Sequence, residues 1–187
     1  MSDEFLGDRK KALEESFFAK QNAALLERIR AQHQKESRVE QLRRVCDISD
    51  PELVDKLVEL GLDAESWAAL SLVPLVEVAW ADGSLEAQER KAILAAAAEE
   101  GITPGSPSQA LLDRWLDERP QPTLFAAWGA YATGLAAKLD GGERSALRRD
   151  LVERARKVAK AAGGMLGLKS VSDAEKRVIA ALEKPFG

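Results

Sequence analysis

One cysteine, one histidine, one tyrosine and a long opening stretch with almost no chain breakers are the first constraints that these 187 residues impose. A single thiol, Cys46, closes no internal bridge, so no disulfide framework holds the fold. It stands in helical phase with Val39 and Leu42, which marks it as a small buried hydrophobe in a reducing compartment. One histidine, His33, and one cysteine supply neither a set of zinc ligands nor a nucleophile with its base, so neither residue is expected to be catalytic. His33 reads as a solvated helical side chain, or as a pH sensor, because imidazole titrates near neutrality.

A strong charge of one sign is missing as well. The formal charge is -4, too weak a field to attract nucleic acid, and the pairs Arg43-Arg44 and Arg148-Arg149 read as solvated helix faces. No apolar run reaches the roughly 20 residues that a bilayer requires. Residues 66–81 are interrupted by Pro74 and Glu77, and 123–137 are too few, so both read as buried core helices. The start Met-Ser-Asp-Glu has no basic region leading into an apolar one, which argues against a secretory signal and makes the cytoplasm the expected compartment. The run Gly163 to Ser170 ends in Lys169-Ser170 like a phosphate-binding loop, but Leu168 occupies the place where glycine is needed and no strand precedes it. It reads as a glycine-rich connector.

What is present is helix, with clear punctuation. From Asp8 to Asp50 there is no glycine or proline, and this stretch predicts a helical arm about 60 Å long at 1.5 Å per residue. Asp50-Pro51 opens a short helix that Gly61 closes. Asp63 is placed to cap a helix over 64–81, kinked at Pro74. The turn Asp82-Gly83-Ser84 leads into a helix over 85–100, ended by Gly101. Ser106 starts a helix through Trp115, with capping-box spacing to Gln109. The helix over 122–139 is rich in alanine and glycine, and these small residues predict that it lies at the centre of the bundle. A second turn, Asp140-Gly141-Gly142, precedes a helix over 143–162, and Ser172 with Glu175 forms another capping box before a last helix ending at Pro185. No strand period appears, so the fold class is all-α: an arm over 1–48 and a helical bundle over 49–187. Residues 84–94 and 172–182 share a cap, early acids and an apolar stripe, as an internal duplication or as two helices under the same start rules.

Two places invite chemistry. Asp82 lies in a turn, with Glu86 and Glu89 in the first helical turns that follow, so three carboxylates could converge on a divalent cation. The bland alternative is that acids at a helix N-terminus complement its dipole. The arm offers the second place: Leu13 and Phe17 stand four apart, and Phe18, Leu25 and Ile29 form a stripe beside them, an apolar face that calls for a partner.

Residues 73–102, above all the run Val76-Glu77-Val78-Ala79-Trp80-Ala81-Asp82-Gly83-Ser84-Leu85-Glu86, resemble the TerB-like domain of tellurite-resistance proteins. The likeness follows helix order over about 64–185. It implies a non-enzymatic helical domain of stress-response settings whose acidic surface holds divalent metal, here through Asp82, Glu86 and Glu89. The second Asp-Gly turn departs from the pattern, with Gly142 and Arg144 where acids would be expected.

The arm resembles the inhibitory helix of the mitochondrial ATP synthase inhibitor protein through Gly7, Arg9, Ala12, Glu14, Glu15, Phe17, Phe18, Gln21 and Leu26. Asp8-Arg9, Ala12, Leu13-Glu14 and Phe17 are also similar to the start of the alphaproteobacterial zeta inhibitor subunit. The resemblance implies a helix that inserts between catalytic subunits of an F-type ATPase, with Glu14 paired to a basic residue, Phe17 and Phe18 anchored in an apolar cleft and Arg9 assisting. Leu13, Glu15, Gln21, Leu25 and Leu26 would complete the contact. Lys10 replaces an acid of the mitochondrial protein, and its histidine-rich coiled coil is absent. The alternative for the arm is packing on its own bundle or self-association. The sequence thus predicts a non-catalytic binding protein acting through its arm, with metal-dependent stress response as the second reading and an enzyme as the last.

Overall fold

Asp50 and Pro51 act as their order requires. In the computed structural model, which describes residues 2–161 and 171–187 with side chains from residue 20 onward, the Asp50 carboxylate accepts the N–H groups of Glu52 and Leu53 at 2.9 and 3.4 Å. Pro51 fills the next position, where its missing N–H costs nothing. Among the described residues there are eight α-helices, two short 3-10 segments and no strand.

The chain divides into two compact units, Met1–Glu40 and Gln41–Gly187. Helix α1 (Ser2–Val45) runs 44 residues without a break, and every residue from 20 to 38 is exposed. Its last turn belongs with the second unit, where Leu42 and Cys46 are buried.

The second unit begins with α2 (Pro51–Glu59), which buries Leu53, Val54, Leu57 and Val58 along one face. Gly61 ends it in the left-handed region at φ 92°, so that the N–H of Leu62 donates back to Leu57 O and that of Gly61 to Val58 O, each at 3.0 Å. Residues 64–81 depart from the single kinked helix the sequence suggests. Trp67–Leu72 is a 3-10 segment, and α3 (Val73–Ala79) is a new helix with Pro74 in its first turn. A proline there forfeits no intrahelical bond, which makes a fresh start less costly than a kink.

Helices α4 (Ala87–Glu99), α5 (Pro107–Asp117), α6 (Pro122–Lys138), α7 (Gly141–Ala161) and α8 (Asp173–Leu182) follow, and Lys184–Phe186 closes the chain as a 3-10 turn holding Pro185. The centre of the bundle is α3, not the small-residue helix α6. Six of the seven residues of α3 are buried, and it packs on α4, α6, α7 and α8. Helix α6 buries Leu124, Ala127, Trp128, Ala132 and Ala136 while Ala126, Ala130, Gly134 and Ala137 stay exposed. An apolar helix surrounded on all sides outranks one whose small residues gain little from burial. The Asp140-Gly141-Gly142 stretch is likewise a helix start: Asp140 Oδ1 accepts the N–H groups of Gly142 and Glu143 at 2.8 Å, and Glu143 returns a carboxylate oxygen to the Asp140 N–H at 3.0 Å.

Tryptophans tie these layers together. Trp80, at the end of α3, donates its Nε1–H to Trp115 O at 2.9 Å. Trp67 meets Tyr131 edge-on with ring centres 5.3 Å apart.

Candidate functional site

The acidic turn is built from its backbone. Gly83 has φ 97° and donates its N–H to Trp80 O at 3.0 Å, a conformation that side-chain-bearing residues adopt only with strain. Asp82 Oδ1 accepts the N–H of Ser84 at 3.2 Å. Helix α4 starts two residues later than the spacing predicts, with Glu86 at the N-cap. The Glu86 N–H donates to Glu89 Oε2 at 2.8 Å, while the Glu89 side chain is buried with 3 % of its surface exposed.

A matching arrangement stands at α8. The Ser172 N–H donates to Glu175 Oε2, Ser172 Oγ accepts the Glu175 N–H at 3.2 Å, and Glu175 is 5 % exposed. The likeness between 84–94 and 172–182 therefore extends to three dimensions, with the third helical residue of each folded back and buried as a cap. Loss of water pushes the Glu89 carboxyl up to about 7, against the backbone hydrogen bond from Glu86; Glu175, Asp82 and Glu86 add repulsion. Glu175 is the residue that sequence reasoning missed as a neighbour of this site, although its capping-box spacing carried the signal.

Asp82, Glu86 and Glu89 are the expected cation ligands. In the structure Glu89 caps a helix start and Asp82 holds its turn, and among the described residues no group of three or more His, Cys, Asp or Glu side chains is gathered closely enough to hold a metal ion.

Of the arm residues, Gln21, Leu25 and Leu26 are exposed. The side chains of Arg9, Leu13, Glu14, Glu15, Phe17 and Phe18 lie outside the described residues, as does the glycine-rich connector from Gly163 to Ser170. His33 Nδ1 lies 3.6 Å from Glu36 Oε2, both side chains being largely in solvent. Cys46 is buried at 6 % exposure, and this burial raises its thiol.

Within the bundle, an apolar cavity of about 170 Å³ lies between Leu75, Trp128, Tyr131, Leu135, Leu151 and Phe186. Arg154 at its edge is engaged by Glu100 and Asp150, and the space is below what a cofactor-sized ligand occupies. No helix among the described residues is long and apolar enough to cross a membrane. Set against protein-family models, curated proteins and solved structures, the chain matches none.

Proposed function

We propose that this chain is a non-catalytic regulatory protein that binds a partner through its N-terminal helix, the partner being the catalytic subunits of an F-type ATPase. The observation that carries the reading is the exposure of Leu25, Leu26 and Ile29, at 56, 53 and 44 %, on an unbroken helix. Leu25 and Ile29 are four apart and share one side. Clustered apolar side chains on a solvated helix mark a surface intended for contact.

In this reading Phe17 and Phe18 are the anchors, each worth about 1.5–3 kcal/mol if fully buried, before the costs of ordering. Glu14 pairs with a basic residue of the enzyme, Arg9 assists, and Leu13, Glu15, Gln21, Leu25 and Leu26 widen the contact. The bundle serves as a scaffold of TerB-like type. The test is ATP hydrolysis by a purified F-type ATPase, measured with the full chain, with a peptide of residues 1–40 and with the Phe17→Ala/Phe18→Ala variant. Inhibition by the first two and its loss in the variant is the expected result; hydrolysis that continues unchanged at micromolar protein overturns the proposal.

A further inference from the structure

Helices α6 and α7 both pack on α3 and on the closing 3-10 turn, but not closely on each other. The gap they leave is the apolar cavity of about 170 Å³, walled by Trp128, Tyr131 and Leu135 from α6 and by Leu147 and Leu151 from α7. Leu75 of α3 and Phe186 of the closing turn also line it, and both are almost wholly buried, so they close its inner end. Tyr131, Leu135, Leu147 and Leu151 are only half-buried, which leaves apolar wall within reach of water. The Tyr131 ring is held in place by its edge-on contact with Trp67. Ser71, Glu100 and Asp150 line the same cavity and are exposed, so they mark its mouth. Arg154 contacts Glu100 there and, through Nε, Asp150 Oδ2 at 3.0 Å, while Ser71 Oγ donates to Glu100. Two carboxylates share one guanidinium, and the lining keeps an excess of negative charge. Arg148 and Arg149 line a separate groove, not this one.

We propose that this gap binds a small arylalkylamine, with one aromatic ring between the walls and an ammonium group at the carboxylates of the mouth. Volume, lining and charge each select that class. An apolar cavity of roughly 150 Å³ is enough to hold benzene, so the space here takes a single ring with a short tail, and a nucleotide or a long acyl chain is too large for it. Trp128, Tyr131 and Phe186 offer ring faces and edges to an aromatic guest, and the same faces favour a nearby cation. An anionic guest is opposed, because Arg154 is already held by two acids and the remaining charge at the mouth is negative. The site lies within the bundle, and it stands whether or not the arm binds an ATPase.

The test is isothermal titration calorimetry of the full-length chain with phenethylamine at neutral pH, joined to amide shift mapping by nuclear magnetic resonance. The comparison probes are butylamine, which lacks the ring, hydrocinnamate, which keeps the ring and reverses the charge, and benzyl alcohol, which keeps the ring without charge. The expected result is saturable one-to-one binding of phenethylamine with Kd on the order of 0.1–1 mM, and shifts concentrated at residues 128–135 and 147–154. Butylamine and hydrocinnamate should bind about tenfold more weakly or worse. Asp150→Asn should weaken phenethylamine about threefold and leave benzyl alcohol unchanged. Leu147→Trp should fill the gap and abolish binding with the melting temperature retained; Asp150→Asn, at an exposed position, carries the test if the larger side chain disturbs folding. Absence of saturable binding at millimolar ligand, equal binding of butylamine or hydrocinnamate, shifts confined to other parts of the chain, or indifference to both substitutions overturns the proposal.

Discussion

The backbone N–H of Glu86 donates to the carboxylate of Glu89 over 2.8 Å, and that carboxylate is almost wholly removed from water. The first helical turn of α4 is therefore held by an acid whose ionisation burial opposes. With its carboxyl raised from the ordinary 4.5 to about 7, the folded protein retains a proton that the unfolded chain releases. Stability from this group is fully present below pH 4.5 and is lost as pH rises through about 7. Glu89→Gln keeps an acceptor for the Glu86 N–H and removes the titration. Urea unfolding across this range should show a falling curve for the parent chain and a flatter one for the variant, which becomes the more stable above neutrality by on the order of 1–3 kcal/mol. Parallel curves would assign the pH dependence to another group.

Replacing Leu25, Leu26 and Ile29 together by glutamine should leave the melting temperature of the bundle almost unchanged, because all three are exposed and glutamine favours helix. Any partner of the arm should be bound more weakly. A large drop in thermal stability would mean that these side chains are covered in the working protein.

Calcium or manganese added at millimolar concentration should not move the melting temperature, since Glu89 is committed to Glu86 and no cage of ligands is gathered among the described residues. A concentration-dependent rise of several degrees would favour the cation reading of Asp82, Glu86 and Glu89.

Gly61→Ala isolates a backbone effect. A methyl group there meets nothing within 4 Å, so only the left-handed φ of 92° resists it, at a cost of about 1–2 kcal/mol. Chemical denaturation should register that loss with no change in the dependence on denaturant.

Much of the helix order was legible because its punctuation is local. Asp50-Pro51, Gly61, Ser106 and Ser172 each act through hydrogen bonds to residues a few positions away, so spacing alone locates them. What escaped depends on distant packing. Nothing near Pro74 announces that the preceding turn tightens to 3-10, and nothing in the alanines and glycines of α6 tells that one side remains in solvent while α3 takes the centre. The candidate site divides in the same way. Glu89 was visible as an acid in a first turn, but its burial and the repulsion it feels from Glu175 arise only in the folded bundle.

Trp67, Trp80, Trp115 and Trp128 are the chain's four tryptophans, and all belong to the second unit. Intrinsic ultraviolet emission is thus blind to Met1–Glu40 and reports on the bundle alone, whereas far-ultraviolet dichroism sums over both. A denaturation followed by the two signals in one cuvette separates melting of the N-terminal helix from melting of the globule without any added label.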